Sequence, residues 1–308
     1  MEKFNDKKNR NLNFLKFIGS YVSDSNFENI RHCGNFLQFY TDITKEKKKL
    51  KNAYFCKNRF CPFCAWRKSQ KQALMISTIM RYLKEQGFEF IFLTLTAPNV
   101  IGDDLEDEIK RFSSSFTKLM KRKKVACSIL GYVRNLEITY NKIRNDFHPH
   151  LHVLLCVNKS YFTNSKKYIS RDDWLKLWQE SMKDFSITQV DVRKVDSASK
   201  KAIYELSKYT SKDEDYLINK EVFDCFYSSL KGKNATTYGG LFKESKKLYE
   251  ANKLEYLKDV DLTEYVYLIT YVWGPSEYNL ENIVELSDEE KESINKKIDF
   301  LESIEKEL

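Results

Sequence analysis

Apolar positions recur at helical spacing between 66 and 86, where Leu74, Ile76, Ile79, Met80 and Leu83 repeat and Gly87 follows; the pattern predicts a helix closed by glycine. The period then drops to two. Residues 88–96 alternate as a strand, with Leu93 and Leu95 on one face and Thr94 and Thr96 on the other. A second helix is predicted over 103–124, with acids in its first turn and a basic block at 121–124 in its last, as the macrodipole favours. Strands at 130–140 and 147–157 flank a turn at 141–146. A helix at 172–183, a strand at 187–195 and a helix over 197–212 complete the regular pattern. Beyond 213 the pattern weakens to a helix near 220–230, a glycine turn at 239–240 and a strand at 263–273. Residues 1–64 read as irregular and polar.

From 88 to 195 the order is β-α-β-β-α-β, the ferredoxin-like split βαβ pattern of an α+β protein. Such a sheet is antiparallel, carries its helices on one face, holds its first and third strands centrally and leaves the other face free for a site. Three segments are expected: 1–86 with a cysteine cluster and a helix, 87–276 with the sheet, and an acidic tail at 277–308.

Charge sharpens this division. The 308 residues carry a net +8, but 277–308 alone carries −7, so the remainder carries +15. A basic body of this kind suits a polyanionic partner, nucleic acid first. No uncharged run approaches the roughly 18 residues of a membrane helix, and the first residues contain no apolar signal region. A cytoplasmic protein is therefore expected, with its seven cysteines reduced.

Three of the four histidines, His148, His150 and His152, fall in FHPHLHVLL. Alternation places them on one face of the strand, with Leu151, Val153 and Leu155 on the other. If the hairpin closes around Ile143 and Arg144, residue numbers across it sum to about 287, which sets Glu137 opposite His150. Two imidazoles and a carboxylate on an open face suit Mg²⁺ or Mn²⁺, with Zn²⁺ not excluded. In the helix at 197–212, Glu205 and Tyr209 are spaced i, i+4 and share a face. A phenol there becomes a nucleophile when a metal polarises its electrophile, and the carboxylate can serve as base for a second attacker. Cys56, Cys61 and Cys64, spaced C-x4-C-x2-C, with Cys33 upstream, can close a tetrahedral structural zinc site; His32 could replace one cysteine. Arg59, Arg67 and Lys68 crowd this cluster and make a DNA contact there plausible.

FLTLT at 92–96, HPHLHVLL at 148–155 and YELSKYTSK at 204–212 together resemble the three motifs of rolling-circle plasmid replication initiators (Rep proteins) of the HUH endonuclease superfamily, in the group from small Gram-positive plasmids. CKNRFCPFCAWRKSQ at 56–70 resembles that group's cysteine segment, and the likeness covers roughly 30–275. The resemblance implies that His150 and His152 bind the catalytic metal and that Tyr209 attacks the scissile phosphate, giving a 5′-phosphotyrosine link and a 3′-hydroxyl primer. It also implies that Glu205 activates water at termination. Glu137 is a third ligand by strand parity and analogy; His148 is either a further nitrogen ligand or a phosphate contact. The partner implied is a plasmid origin, single-stranded at the nick, while host helicase and polymerase and a homodimer stay open. The competing expectations are a relaxase or transposase of the same superfamily and a non-catalytic zinc-containing DNA-binding regulator.

Overall fold

The computed structural model describes residues 1–196, 199–207, 213–258 and 261–295. The last five residues of the helix expected at 197–212, Tyr209 among them, and the end of the acidic tail lie outside the described residues. The chain forms an α+β structure with two antiparallel sheets. Its contacts divide it into two units, 1–71 with 258–308, and 72–257.

In the first unit, helices α1 (Glu2–Ile18) and α2 (Asp24–Arg31) precede a hairpin of β1 (Phe36–Thr41) and β2 (Lys48–Ala53). The sheet order is β2-β1-β8-β9, with β8 at Tyr267–Trp273 and β9 at Tyr278–Glu285. The expectation that 1–64 is irregular does not hold. The stripe of α1 that faces inward reads Phe4, Lys8, Asn11, Phe14 and Ile18, so two polar residues interrupt the apolar period that would announce a helix. Lysines 48, 49 and 51 disguise β2, an edge strand whose charges guard its open backbone. The unit's core closes on Leu37 and Phe39 of β1, with Phe4 meeting Phe39 edge-on at 5.2 Å between ring centres.

The expected acidic tail is in its first part a strand. β9 pairs with β8 from Trp273↔Tyr278 to Tyr267↔Glu285, and helix α11 (Asp288–Asn295) follows. Only Tyr278 of β9 is buried, so its other positions accept glutamate and asparagine without cost and the segment reads as polar. The first and last stretches of the chain therefore share a sheet, a long-range pairing that composition does not reveal.

The second unit carries the sheet β6-β3-β5-β4-β7, formed by β3 (Phe88–Thr96), β4 (Ile129–Asn141), β5 (Asp146–Asn158), β6 (Val190–Val195) and β7 (Thr236–Gly240). Helix α3 (Pro62–Glu85) begins four residues before its expected start, and the unit boundary falls within it. Helix α4 (Leu105–Lys121) and the short α5 (Lys123–Ala126) lie between β3 and β4, and α6 (Arg171–Met182) lies between β5 and β6. A capping box at Ser170 and Asp173 starts α6. Phe112 of α4 and Trp178 of α6 pack at 5.6 Å. Helices α7 (Lys200–Ser207), α8 (Asp213–Tyr216), α9 (Lys220–Leu230) and α10 (Leu241–Glu250) complete the unit.

Residues 239–240 form the end of β7 rather than a free turn. They pair with Tyr132 and Gly131 of β4. A Cβ at Gly131 would lie 2.7 Å from the Leu241 backbone nitrogen, so the close approach of this fifth strand depends on glycine. The apolar residues of β3 and β5 that were expected inside are buried: Leu93, Leu95, Leu151, Val153 and Leu155.

Candidate metal centres

The hairpin register brings the first site together. Glu137 of β4 pairs with His150 of β5, and Asn135 pairs with His152, so each pair sums to 287. Thr94 of β3 lies opposite His152 from the other side. Alternation sends these side chains to one face. A single Glu137 oxygen, Oε2, lies 2.8 Å from His152 Nε2 and 3.3 Å from His150 Nε2. The three ligand atoms all fall within 4.8 Å of one another, close enough for one ion to touch all three.

The hydrogen bonds on the far side of each ring fix what faces the centre. His150 Nδ1 lies 3.2 Å from the His148 carbonyl, which can only accept, so Nδ1 carries the proton. In a neutral ring Nε2 is then a bare lone pair directed at a carboxylate oxygen. That arrangement needs a proton or a cation between the two. The 2.8–3.3 Å separations match the edge of an octahedron with bonds of about 2.1 Å, which is about 3.0 Å. His152 Nδ1 is held by Thr94 Oγ1 at 3.3 Å. Such partners orient ligating imidazoles. The donor set therefore fits a cation, and three protein ligands leave positions open for other oxygens.

The face is less open than the sheet pattern implied. Glu137 is 4% and His152 8% exposed. α7 lies over part of the face, and Glu205 Oε2 reaches to 3.4 Å from His152 Nε2. A polar chain ties this helix down: Gln72 Nε2 donates to the Leu206 carbonyl and to Thr236 Oγ1, both at 2.9 Å, and Thr236 Oγ1 donates to Asn135 Oδ1 at 2.9 Å. Sequence reasoning missed Gln72 and Thr236, for no motif links a residue of α3 to one of β7. Tyr209 falls outside the described residues.

His148 stands apart from the trio. Its ring stacks on that of His150, 5.2 Å between centres and 28° from parallel. Burial first, and then the neighbouring His150, hold its pKa below the usual imidazole range. It lines a cleft rather than joining the three ligand atoms.

The second site gathers Cys33, Cys56, Cys61 and Cys64. Cys33 follows α2, Cys56 lies in the loop after β2, and Cys61 and Cys64 bracket the start of α3. Cys33–Cys64, Cys56–Cys64 and Cys33–Cys61 sulfur pairs are each 3.6 Å apart. A disulfide would need about 2.05 Å. A tetrahedron with metal–sulfur bonds of about 2.3 Å has edges of about 3.8 Å, close to what is found. Lys57, at φ 61°, turns the backbone so that its N–H donates to Cys64 Sγ at 3.2 Å. Gly34, at φ 73°, makes the turn beyond Cys33, where a Cβ would meet Phe63 at 2.9 Å. The thiols are perturbed in both directions: the hydrogen bond to Cys56 holds the Cys33 thiol above its usual range, burial does the same for Cys61, and Cys56 is held below by Cys33.

His32 is not a ligand here. Its ring nitrogens lie 2.9 Å from Asn35 Nδ2 and 3.5 Å from Glu28 Oε2, and Cys33 takes the place that either residue could have filled. Two unexpected residues of α1 back the cluster. Asn11 Nδ2 donates to Cys61 Sγ at 3.3 Å, and the buried Lys8 ammonium donates to the Cys33 and Arg31 carbonyls, each at 2.8 Å. Burial lowers the Lys8 pKa to about 8, against the pull of the nearby sulfurs. The signal was present: a lysine and an asparagine three residues apart, in mid-stripe on an otherwise apolar helix face.

Both donor sets have the composition and spacing that could hold a metal ion. A profile of the family described as replication protein matches residues 47–270, and the chain belongs to that replication-protein family. It is 55% identical over 221 residues to Protein rep of Staphylococcus aureus, covering 71% of this chain and 96% of that one. It is 38% identical to Protein rep of Streptococcus pneumoniae, covering 74% and 73%, and 37% identical to Protein rep of Bacillus amyloliquefaciens, covering 74% of each. No solved structure matches the chain. Among the described residues, no helix is long and apolar enough to cross a membrane.

Proposed function

We propose that the chain is a plasmid rolling-circle replication initiator that nicks one strand of its origin through Tyr209. The observation that carries this reading is the 3.4 Å approach of Glu205 to His152. The histidine motif and the glutamate of the Glu-x-x-x-Tyr motif are 53 residues apart in sequence, yet they form one centre. The strand order β6-β3-β5-β4, in which the first and third strands are central, supports the ferredoxin-like, HUH-type reading of this unit.

In the proposed mechanism His150, His152 and Glu137 would hold Mg²⁺ or Mn²⁺, which when bound would supply positive charge at the scissile phosphate of single-stranded origin DNA. The remaining work falls to the chain. Thr94 and the His148 carbonyl keep both imidazoles turned toward the centre. The Tyr209 phenolic oxygen attacks phosphorus and the 3′ oxygen leaves, so a 5′-phosphotyrosine ester forms and a 3′-hydroxyl is freed to prime synthesis. The ester keeps the energy of the broken bond, so rejoining needs no ATP. Glu205 accepts a proton from water in the final cleavage, which lets one tyrosine suffice. The cysteine cluster would hold Zn²⁺ in a structural role, since four sulfurs are the donor set of closed structural zinc sites. The first unit is then the zinc-stapled segment and the second the nuclease. Cytoplasmic DNA is the substrate, and host helicase and polymerase and a second copy are the further partners of this reading.

The test is a labelled single-stranded oligonucleotide carrying the plasmid's nick site, incubated with Mn²⁺ and resolved under denaturing conditions. A covalent adduct mapped by mass spectrometry to Tyr209, and absent from Tyr209→Phe, is expected. An adduct in Tyr209→Phe overturns the assignment. Tight DNA binding with no adduct in the native protein would make the chain a regulator instead.

A further inference from the structure

We propose that the cleft beside the histidine strand is a nucleobase pocket that reads one unstacked base next to the scissile phosphate, with His148 as its reader. This rests on the reading of the trio as a single-strand nuclease centre. The cleft measures about 430 Å³ and is walled by the loop after β3, the far end of β4, the hairpin turn, β5 and the segment before β6. That volume lies within the roughly 300–1,000 Å³ of small-ligand sites. Its position follows from strand parity. His148 is two residues from His150 on the same face of β5, its ring stacked on that of the ligand, so the cleft begins where the metal site ends.

The chemistry of the wall selects a base over a phosphate. Its one cation, Arg144, is already engaged by Asp146, with Nε at 2.8 Å from Oδ2 and Nη2 at 3.5 Å from Oδ1. Asn99 Nδ2 braces the same carboxylate at 2.8 Å. What remains is uncharged, with polar groups set among the apolar Ala97, Pro98 and Ile187. The Thr139 hydroxyl, the Gln189 amide and the His148 ring all line the cleft, and none has a hydrogen-bond partner among the described residues. Each can both donate and accept, which is what the edge of a base requires. Tyr140 adds an aromatic wall, positioned by its ring contact with Phe147 at 5.1 Å and by its hydroxyl donating to Asn145. A planar heterocycle thus meets a ring surface and unspent donors and acceptors. A phosphate would meet no cation without a carboxylate beside it.

The structure also accounts for a histidine that the metal does not use. A strand with three histidines on one face has two in the Glu137 trio and one at the mouth of the cleft, so His148 would sense the neighbour of the nucleotide that is cut.

The probe is a set of single-stranded oligonucleotides spanning the nick mapped on the plasmid's own origin. Each position flanking the nick is replaced in turn by the other three bases and by an abasic residue, and adduct formation with Mn²⁺ is timed. The full-length native protein should prefer one base at a single flanking position by about 10- to 100-fold. His148→Ala should reduce that preference to about threefold or less, and Gln189→Ala should alter which base is preferred or weaken the choice. A native protein with no preference at any flanking position overturns the pocket. So does a His148→Ala protein that slows all oligonucleotides equally while keeping the preference. Loss of Mn²⁺ binding in His148→Ala, measured directly, would make His148 a metal ligand and also overturn it. Failure of the native protein to form any adduct at Tyr209 counts against the nuclease reading itself, so the two failures are distinguishable.

Discussion

The four sulfurs and the histidine–glutamate trio are both donor sets brought together by the fold, yet they are built by opposite means. The sulfur site is assembled from loop and helix-start residues, with a left-handed Lys57 and a buried lysine behind it. Its four members fill a tetrahedron. The trio is set by the register of one hairpin, offers three donors, and keeps a carboxylate and a cleft at its side. The difference lies in the number of donors each site offers: four sulfurs suit a closed shell, and three mixed donors suit an open one. A saturated shell can only hold the chain together; an unsaturated one can exchange oxygens with a substrate.

The comparison can be broken most sharply at the sulfur site. Removing the cation with a chelator under reducing conditions should cost the first unit on the order of 10 kcal/mol, the scale of structural zinc binding. Residues 1–71 should then become open to limited proteolysis, and continued resistance after complete zinc loss would end the staple reading. At the trio the effect should fall on chemistry. His150→Ala should slow adduct formation by on the order of 10³-fold, with a shift of only a few degrees in the thermal midpoint. A large loss of stability with activity intact would reverse the roles assigned to the two sites. Glu205→Gln sharpens the division within the reaction centre. The first nick should stay within about tenfold of the native rate, while the water-dependent second cleavage falls about 10²-fold, read from single-turnover assays of each step. The smallest expected effect is that of Asn11→Ala. It removes the hydrogen bonds of a buried amide to Cys61, to the Ile30 carbonyl and from Lys8, and should cost the first unit about 2 kcal/mol in denaturant unfolding, without touching the nicking rate.

How much of this was legible follows the range of the interactions. The strand of residues 88–96 and the helix of 220–230 came out with the bounds that sequence predicts, because local period and glycine signals decide them. Glu137 opposite His150 was legible because a short turn fixes the hairpin sum and parity fixes the face. α1 was hidden because Lys8 and Asn11 serve the sulfur site and spoil its apolar stripe. β7 and β9 were hidden because their stability comes from partners more than 100 residues distant in one case and from a single buried tyrosine in the other. The brace from Gln72 to Leu206 had no sequence signal, since a half-buried amide has no spacing rule.

The pairing sum of 287 also governs how this chain can change over generations. Insertions within the exposed bend around Ile143 can be absorbed as a longer loop, since that side chain is 96% exposed and packs on nothing. One residue gained or lost inside either arm would instead turn the glutamate to the opposite side of the sheet from the imidazoles. Length variation among descendants should therefore collect at the tip of that hairpin and be purged from its arms.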